Sequence, residues 1–150
     1  MSKVNIEETI LKYEAFINNV LKEDLKQVDL RLQGINAEIS DLIQQKHTLQ
    51  VVTDKAVHPH GFETQVNIGC NFFMEASVED TSNLLFNIGL SHYLEFSTEE
   101  ANKYLEIRIK AFEKKAEELR NKSAETKGHI KLMLFGIAEL QNQQLGIIKS

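Results

Sequence analysis

From Leu21 to Leu49 the chain sets a residue alternately four and three positions from the last: Leu21, Leu25, Val28, Leu32, Ile35, Ile39, Leu42, Lys46 and Leu49, all apolar except Lys46. A mean spacing of about 3.5 keeps these residues on one narrow stripe of a helix, the seam of a coiled coil. A second stripe runs through Leu105, Ile109, Phe112, Ala116, Leu119, Ser123, Thr126, Ile130, Met133, Ile137, Leu140, Gln144 and Ile147, with Ser123, Thr126 and Gln144 as its polar members. Neither flank, 1–55 or 99–150, contains proline, so nothing in them forces a break. Each predicts a helix of about 50 residues, or ~75 Å at 1.5 Å per residue. Stripes of matched length on one chain predict a hairpin of helices. Leu49 then faces the region of Leu105, and Leu21 that of Met133.

Upstream, Ile6, Ile10, Tyr13 and Ile17 repeat the spacing, but Ile17 to Leu21 is one more step of four. Such a phase slip resembles a stutter, which locally relaxes the supercoil. The second helix opens on Ser97-Thr98-Glu99-Glu100, and Ser97 with Glu100 has the spacing of a capping box. Mixed charges such as Glu113, Lys114, Lys115, Glu117 and Glu118 fill the positions off the seam, as a solvated face requires. Ser123 and Thr126 are expected opposite Val28 and Leu32, where polar seam residues commonly fix register; the alternative is a flexible, splaying midsection.

The middle is not helical. Val57-His58-Pro59-His60-Gly61 ends the first helix, because proline disfavours helix at the residue before it and Gly61 tolerates a turn. Val66, Ile68, Cys70 and Phe72 then alternate with Gln65, Asn67, Gly69 and Asn71, the period-two pattern of a strand with one buried face. Glu79-Asp80-Thr81-Ser82-Asn83 is a turn cluster. Leu84 to Ile88 and His92 to Phe96 read as a second strand pair around Gly89-Leu90-Ser91.

The expected fold class is α+β, mostly α: two long helices in an antiparallel coiled coil joined by two short β-hairpins. One domain is expected over 1–150, with helix 5–55, hairpins 62–96 and helix 98–149. Hairpins this small are marginal alone and leave unpaired edges, so assembly with other chains is expected. Val66, Ile68, Cys70, Phe72, Leu84, Phe86, Ile88 and Tyr93 are the candidate oligomerisation residues.

Several chemistries are disfavoured. The net charge is −5, and Lys and Arg are absent from Ala56 to Asn102, so no nucleic-acid footprint is expected. The start, MSKVNIEETI, has no apolar run of signal-peptide length, and no stretch approaches a membrane span. With Cys70 as the single cysteine, neither an internal disulfide nor a cysteine-rich zinc site is available, and a reducing compartment is expected. Cys70 itself is expected to act as a small buried hydrophobe on its strand. His58 and His60 flank Pro59 without a carboxylate or cysteine cluster, which fits a solvated turn better than a metal site. No phosphate-loop glycine pattern occurs. No catalytic residue, cofactor or metal is expected.

The order helix, hairpin, hairpin, helix resembles the α class of prefoldin subunits. Val66-Asn67-Ile68-Gly69-Cys70-Asn71-Phe72-Phe73 is similar to the first-hairpin motif of that class, and Ile88-Gly89-Leu90-Ser91-His92-Tyr93-Leu94-Glu95 to the second. The Gly69 to Phe73 core, with Lys12 to Ile17 upstream and Gly128 to Leu134 downstream, is similar to a prefoldin-like branch of the family. The resemblance implies a non-enzymatic co-chaperone in a hexamer of two α and four β subunits. Hairpins would pair between subunits into a platform, and unfolded clients would be held near the coiled-coil ends without ATP. For the branch it implies a link to RuvB-like ATPase co-chaperone machinery and nuclear roles in transcription. Cytoplasm and nucleus are the expected compartments. The alternative is a nuclear adaptor or transcription cofactor that bridges proteins through the same coiled coil.

Holding an unfolded chain requires exposed apolar surface. In Ile130-Lys131-Leu132-Met133-Leu134-Phe135-Gly136-Ile137 the seam needs only Ile130, Met133 and Ile137, leaving Leu132, Leu134 and Phe135 in surplus. On the opposing helix Leu11, Phe16 and Val20 are likewise off the seam. These six are the candidate client or partner contacts, the alternative being that the tip packs more widely, for instance as a local bundle with a neighbouring chain.

Overall fold

The structure is a computed structural model that describes residues 3–149, with side chains from 5 to 146. Its elements in chain order are α1 (Lys3–Phe16), a π-helical turn (Ile17–Leu21), α2 (Lys22–Val52), β1 (Phe62–Gly69), β2 (Phe72–Val78), β3 (Asn83–Gly89), β4 (His92–Ser97) and α3 (Thr98–Lys149). Among the described residues they form two compact units: 3–36 with 114–149, and 37–113.

In the first unit the helices pair antiparallel along the expected seam. Ile6, Ile10, Ile17 and Ile137 form its buried core, with Leu21, Ile130, Met133 and Leu140 packed against it. The π turn falls on the phase slip between Ile17 and Leu21. The Lys22 N–H bonds the Ile17 carbonyl five residues back, so the turn takes in one extra residue. Leu21 thereby rejoins the seam. Val28 and Ala116 are buried further along. Beside them Ser123 Oγ donates to Asp29 Oδ1 at 3.0 Å, and Thr126 Oγ1 donates to the Lys122 carbonyl at 3.0 Å. Ser123 thus binds the opposing helix beside Val28, and a buried donor with one partner residue across the seam fixes register. Gln144, the last seam position with a described side chain, donates to Glu7 Oε1 at 2.7 Å; the Ile147 side chain lies outside the described residues.

The second unit joins the ends of α2 and α3 to the hairpins. Leu42, Leu49, Ala101 and Leu105 are its buried core. The polar seam residue Lys46 reaches out of that seam to Glu106 Oε1 at 2.8 Å. Helix α2 ends at Val52, sooner than the expected limit of 55. Thr53 N and Oγ1 both donate to the Leu49 carbonyl, and Asp54 Oδ1 accepts from the Ala56 N–H, so Asp54 starts a turn before proline is reached. Gly61 then has φ +83°, and a Cβ on it would sit 1.8 Å from the Val78 carbonyl oxygen. Only glycine fits there.

β1 and β2 form one antiparallel two-stranded sheet, β3 and β4 another. The two are built alike. Each has a bulge just before its turn, between Asn67 and Gly69 in the first and Asn87 and Gly89 in the second. In each, the asparagine Oδ1 accepts from the glycine N–H at 2.9 Å. Each turn carries two residues of positive φ, Cys70 and Asn71, then Leu90 and Ser91. Cys70 is therefore an exposed turn residue and not, as its place in the alternation suggested, a buried strand residue. The bulge at Ile68 uses up one position and shifts everything after it.

The capping box at α3 is present in full. Glu100 Oε2 accepts from the Ser97 N–H at 2.9 Å and from its hydroxyl at 3.0 Å, while Ser97 Oγ accepts from the Glu100 N–H at 3.3 Å. These bonds, the backbone one foremost, hold the Glu100 carboxyl below its ordinary range. Glu106, through Lys46, and Asp80, through Ser82, are lowered likewise. A depressed carboxyl stabilises the fold above its unfolded-state value, and that contribution is lost as pH falls through its folded-state value. The melting temperature is therefore expected to drop between about pH 6 and about pH 3, and Glu100→Gln to lower the pH 6 value while flattening the slope. Thermal circular dichroism checks this, and an unchanged slope in Glu100→Gln would show the cap to be idle.

Candidate assembly and contact surfaces

The register assigns each hairpin two faces. In the first, Thr64 pairs with Ala76, Val66 with Met74, and Phe62 with Val78, so β1 and β2 share one apolar face. Glu63 with Ser77, Gln65 with Glu75, and Asn67 with Phe73 make the other. Toward the turn the apolar face is uncovered: Val66 is 46% exposed, Met74 60% and Phe72 69%, while Phe62, Ala76 and Val78 at its other end are half-buried. Ile68, the extra residue of the bulge, is 63% exposed.

The second hairpin behaves differently. Leu84, Phe86 and Phe96 share a face, and all three pack on the core of α2 and α3. Phe86 meets Phe96 edge-on at 5.8 Å and Tyr104 at 6.1 Å, and Phe96 stacks on Tyr104 at 5.2 Å. Arg108 lies over the Tyr104 ring and donates to its hydroxyl at 2.8 Å. Leu84 and Phe86, expected to bind other chains, are thus engaged by their own helices. Tyr93 and Ile88 remain exposed, as does Leu85 on the outward face. A groove of about 470 Å³ between this hairpin and α2 is lined by Asp41, Gln45, Thr48, Leu49, Leu84 and Phe86 among others.

Of the eight candidate oligomerisation residues, Val66 and Phe72 share the open face and Ile68 lies in the bulge beside it. Leu84 and Phe86 form a covered face, and Cys70, Ile88 and Tyr93 are exposed elsewhere. Sequence reasoning missed Met74, which the alternation Phe72, Met74, Ala76, Val78 would have found. It also missed Leu90, 93% exposed at φ +50°, a bulky apolar side chain held at the hairpin tip in a conformation such residues rarely adopt.

All six candidate contact residues of the first unit are exposed, yet they do not form one patch. Leu132 and Phe135 line a groove with Tyr13, Met133, Gly136 and Glu139. Leu134 lines another, with Glu14, Ile17, Asn18 and Lys22. Phe16 follows Tyr13 by three residues and Val20 follows Phe16 by four, which aligns them with the Tyr13 groove; Leu11 precedes Glu14 by three, on the other flank. Gly136 lies beside the Tyr13 ring, which an added Cβ would meet at 3.9 Å, an ordinary van der Waals contact. Tyr13, expected in the seam, is a groove wall.

Among the described residues no group of three His, Cys, Asp or Glu side chains is placed to hold a metal ion, and no helix is long and apolar enough to cross a membrane.

Comparison with known proteins agrees with this architecture. Residues 21–143 match the Prefoldin subunit family. Protein UXT homolog of Nematostella vectensis is 31% identical over 137 residues, covering 91% of this chain and 86% of its own. Protein UXT of Homo sapiens is 31% identical over the same length with the same coverage. A chain of the filamentous PFD from Methanocaldococcus jannaschii, solved by cryo-EM, superposes with a TM-score of 0.66 at 23% identity, over 79% of this chain and 95% of that one. The match spans α2, both hairpins and most of α3, and with it the chain belongs to the prefoldin subunit family.

Proposed function

We propose that this chain is a non-enzymatic co-chaperone subunit of a prefoldin or prefoldin-like hetero-oligomer, assembled with β-type subunits and another α-type subunit through its hairpins. The observation that carries this reading is the uncovered apolar face of the first hairpin, Val66, Phe72 and Met74. A two-stranded sheet with a bare apolar face is marginal in water and gains stability when another chain covers it. The grooves flanking Tyr13 and Leu134 would contact unfolded or assembling clients, for which adaptable apolar walls suffice. The similarity to UXT proteins supports the prefoldin-like branch; for a member of that branch we further propose a connection to RuvB-like ATPase co-chaperones and residence in cytoplasm and nucleus.

Co-expression with a set of β-type prefoldin subunits, followed by native mass spectrometry, tests the assembly. A defined hetero-oligomer is the expected result; a folded monomer beside every partner would sink it. For clients, Leu132→Ser with Phe135→Ser is expected to reduce suppression of aggregation of a chemically denatured protein at least twofold, with assembly unchanged. Full suppression in that variant would favour the adaptor reading, in which the grooves bridge folded proteins.

A further inference from the structure

The polar face of the first hairpin carries a second kind of selectivity. Glu63 pairs across the ladder with Ser77 and Gln65 with Glu75, which makes Glu63 and Glu75 diagonal neighbours on that face. No Lys or Arg occurs from Ala56 to Asn102, so neither hairpin can offer either glutamate a basic neighbour. The sheet has two strands, and both of its outer edges are unpaired among the described residues. Edges are commonly protected by lysine or proline, and β1 and β2 contain neither.

We propose that the first hairpin adds a strand from a non-identical chain, one alternating apolar side chains with Lys or Arg, and that its glutamates disfavour a second copy of this chain. The proposal rests on the assembly reading above and names the chemistry of the partner. A strand laid on either edge extends both faces at once, with every other side chain beside the apolar row and the intervening ones beside Glu63, Gln65 or Glu75. Opposite charges in those positions are favourable and like charges unfavourable. A second copy has no register that brings Lys or Arg to a glutamate, and centred pairing of β2 with its copy sets Glu75 against Glu75. Apolar contact supplies affinity; charge selects the partner.

The test mixes the full-length wild-type chain with the full-length Glu63→Lys/Glu75→Lys variant, folding of each being checked by circular dichroism. Association is followed by analytical ultracentrifugation at about 50 mM and about 500 mM salt. At low salt the mixed pair is expected to associate on the order of tenfold more tightly than either chain alone, with the advantage shrinking at high salt and lost when both carry Val66→Glu. Glu63→Gln/Glu75→Gln, which removes charge without reversing it, is expected to raise self-association. Equal association of mixed and unmixed chains, with no gain in the Gln variant, overturns the charge rule; a hetero-oligomer with β-type subunits that still responds to Val66→Glu would then leave the assembly reading standing. If Val66→Glu changes neither the mixed pair nor that hetero-oligomer, the assembly reading falls as well.

Discussion

Leu105→Ala is expected to cost about 2–5 kcal/mol and to loosen the second hairpin together with the helix ends beneath it. Leu105 is fully buried in α3, within the core it makes with Leu42, Leu49 and Ala101, and that core also supports Leu84, Phe86 and Phe96. Shortening it removes a transfer contribution and leaves a cavity that rigid neighbours close only in part. The core is small, so there is little redundancy. Ile107 supplies the control, being two residues away in the same helix and 70% exposed; Ile107→Ala should stay within about 0.5 kcal/mol of the parent. Urea unfolding of both variants by circular dichroism measures the difference. Equal costs would show that the hairpin does not depend on the seam.

The helices were legible because burial in a two-helix pair is dictated by period alone. The seam from Leu21 to Leu49 is buried or half-buried throughout, and even its irregularity was visible, as the extra step from Ile17 to Leu21 became a π turn. Ser97 and Glu100 were legible because a cap is a local device, complete within four residues. The hairpins were less so. A period of two states that strands have an apolar face but not what covers it, and here one face meets the chain's own helices while the other is left largely open. That difference is tertiary. Cys70 was misplaced because its turn departs from the usual chemistry: positive φ favours glycine or asparagine, yet Cys70 and Leu90 occupy the first turn positions. A signal did exist. Asn67-Ile68-Gly69 and Asn87-Ile88-Gly89 repeat one bulge-and-turn device in both hairpins, and the repeat sets the turn residues at 70–71 and 90–91.

On the assembly reading proposed above, the two faces separate folding from assembly, and the expected result is a full dissociation of the two by mutation. Val66→Glu with Met74→Lys, opposite charges on one cross-strand pair, should weaken assembly with other prefoldin subunits on the order of 100-fold or more while leaving the stability of the isolated chain nearly unchanged. Val66 is 46% exposed and Met74 60%, so charging them takes little buried contact from the chain. Covered by a partner, each would have contributed about 1.5–3 kcal/mol, and every ~1.4 kcal/mol is a factor of ten in Kd. Phe86→Ala should act the other way round. It removes a ring that Phe96 and Tyr104 hold against the helices, so the chain loses about 2 kcal/mol of its own stability before any partner is involved. Native mass spectrometry of the co-expressed assembly reads the first effect, and thermal unfolding of the lone chain reads the second. Should Val66→Glu/Met74→Lys melt the lone chain while Phe86→Ala leaves it intact, the faces have been assigned the wrong way round.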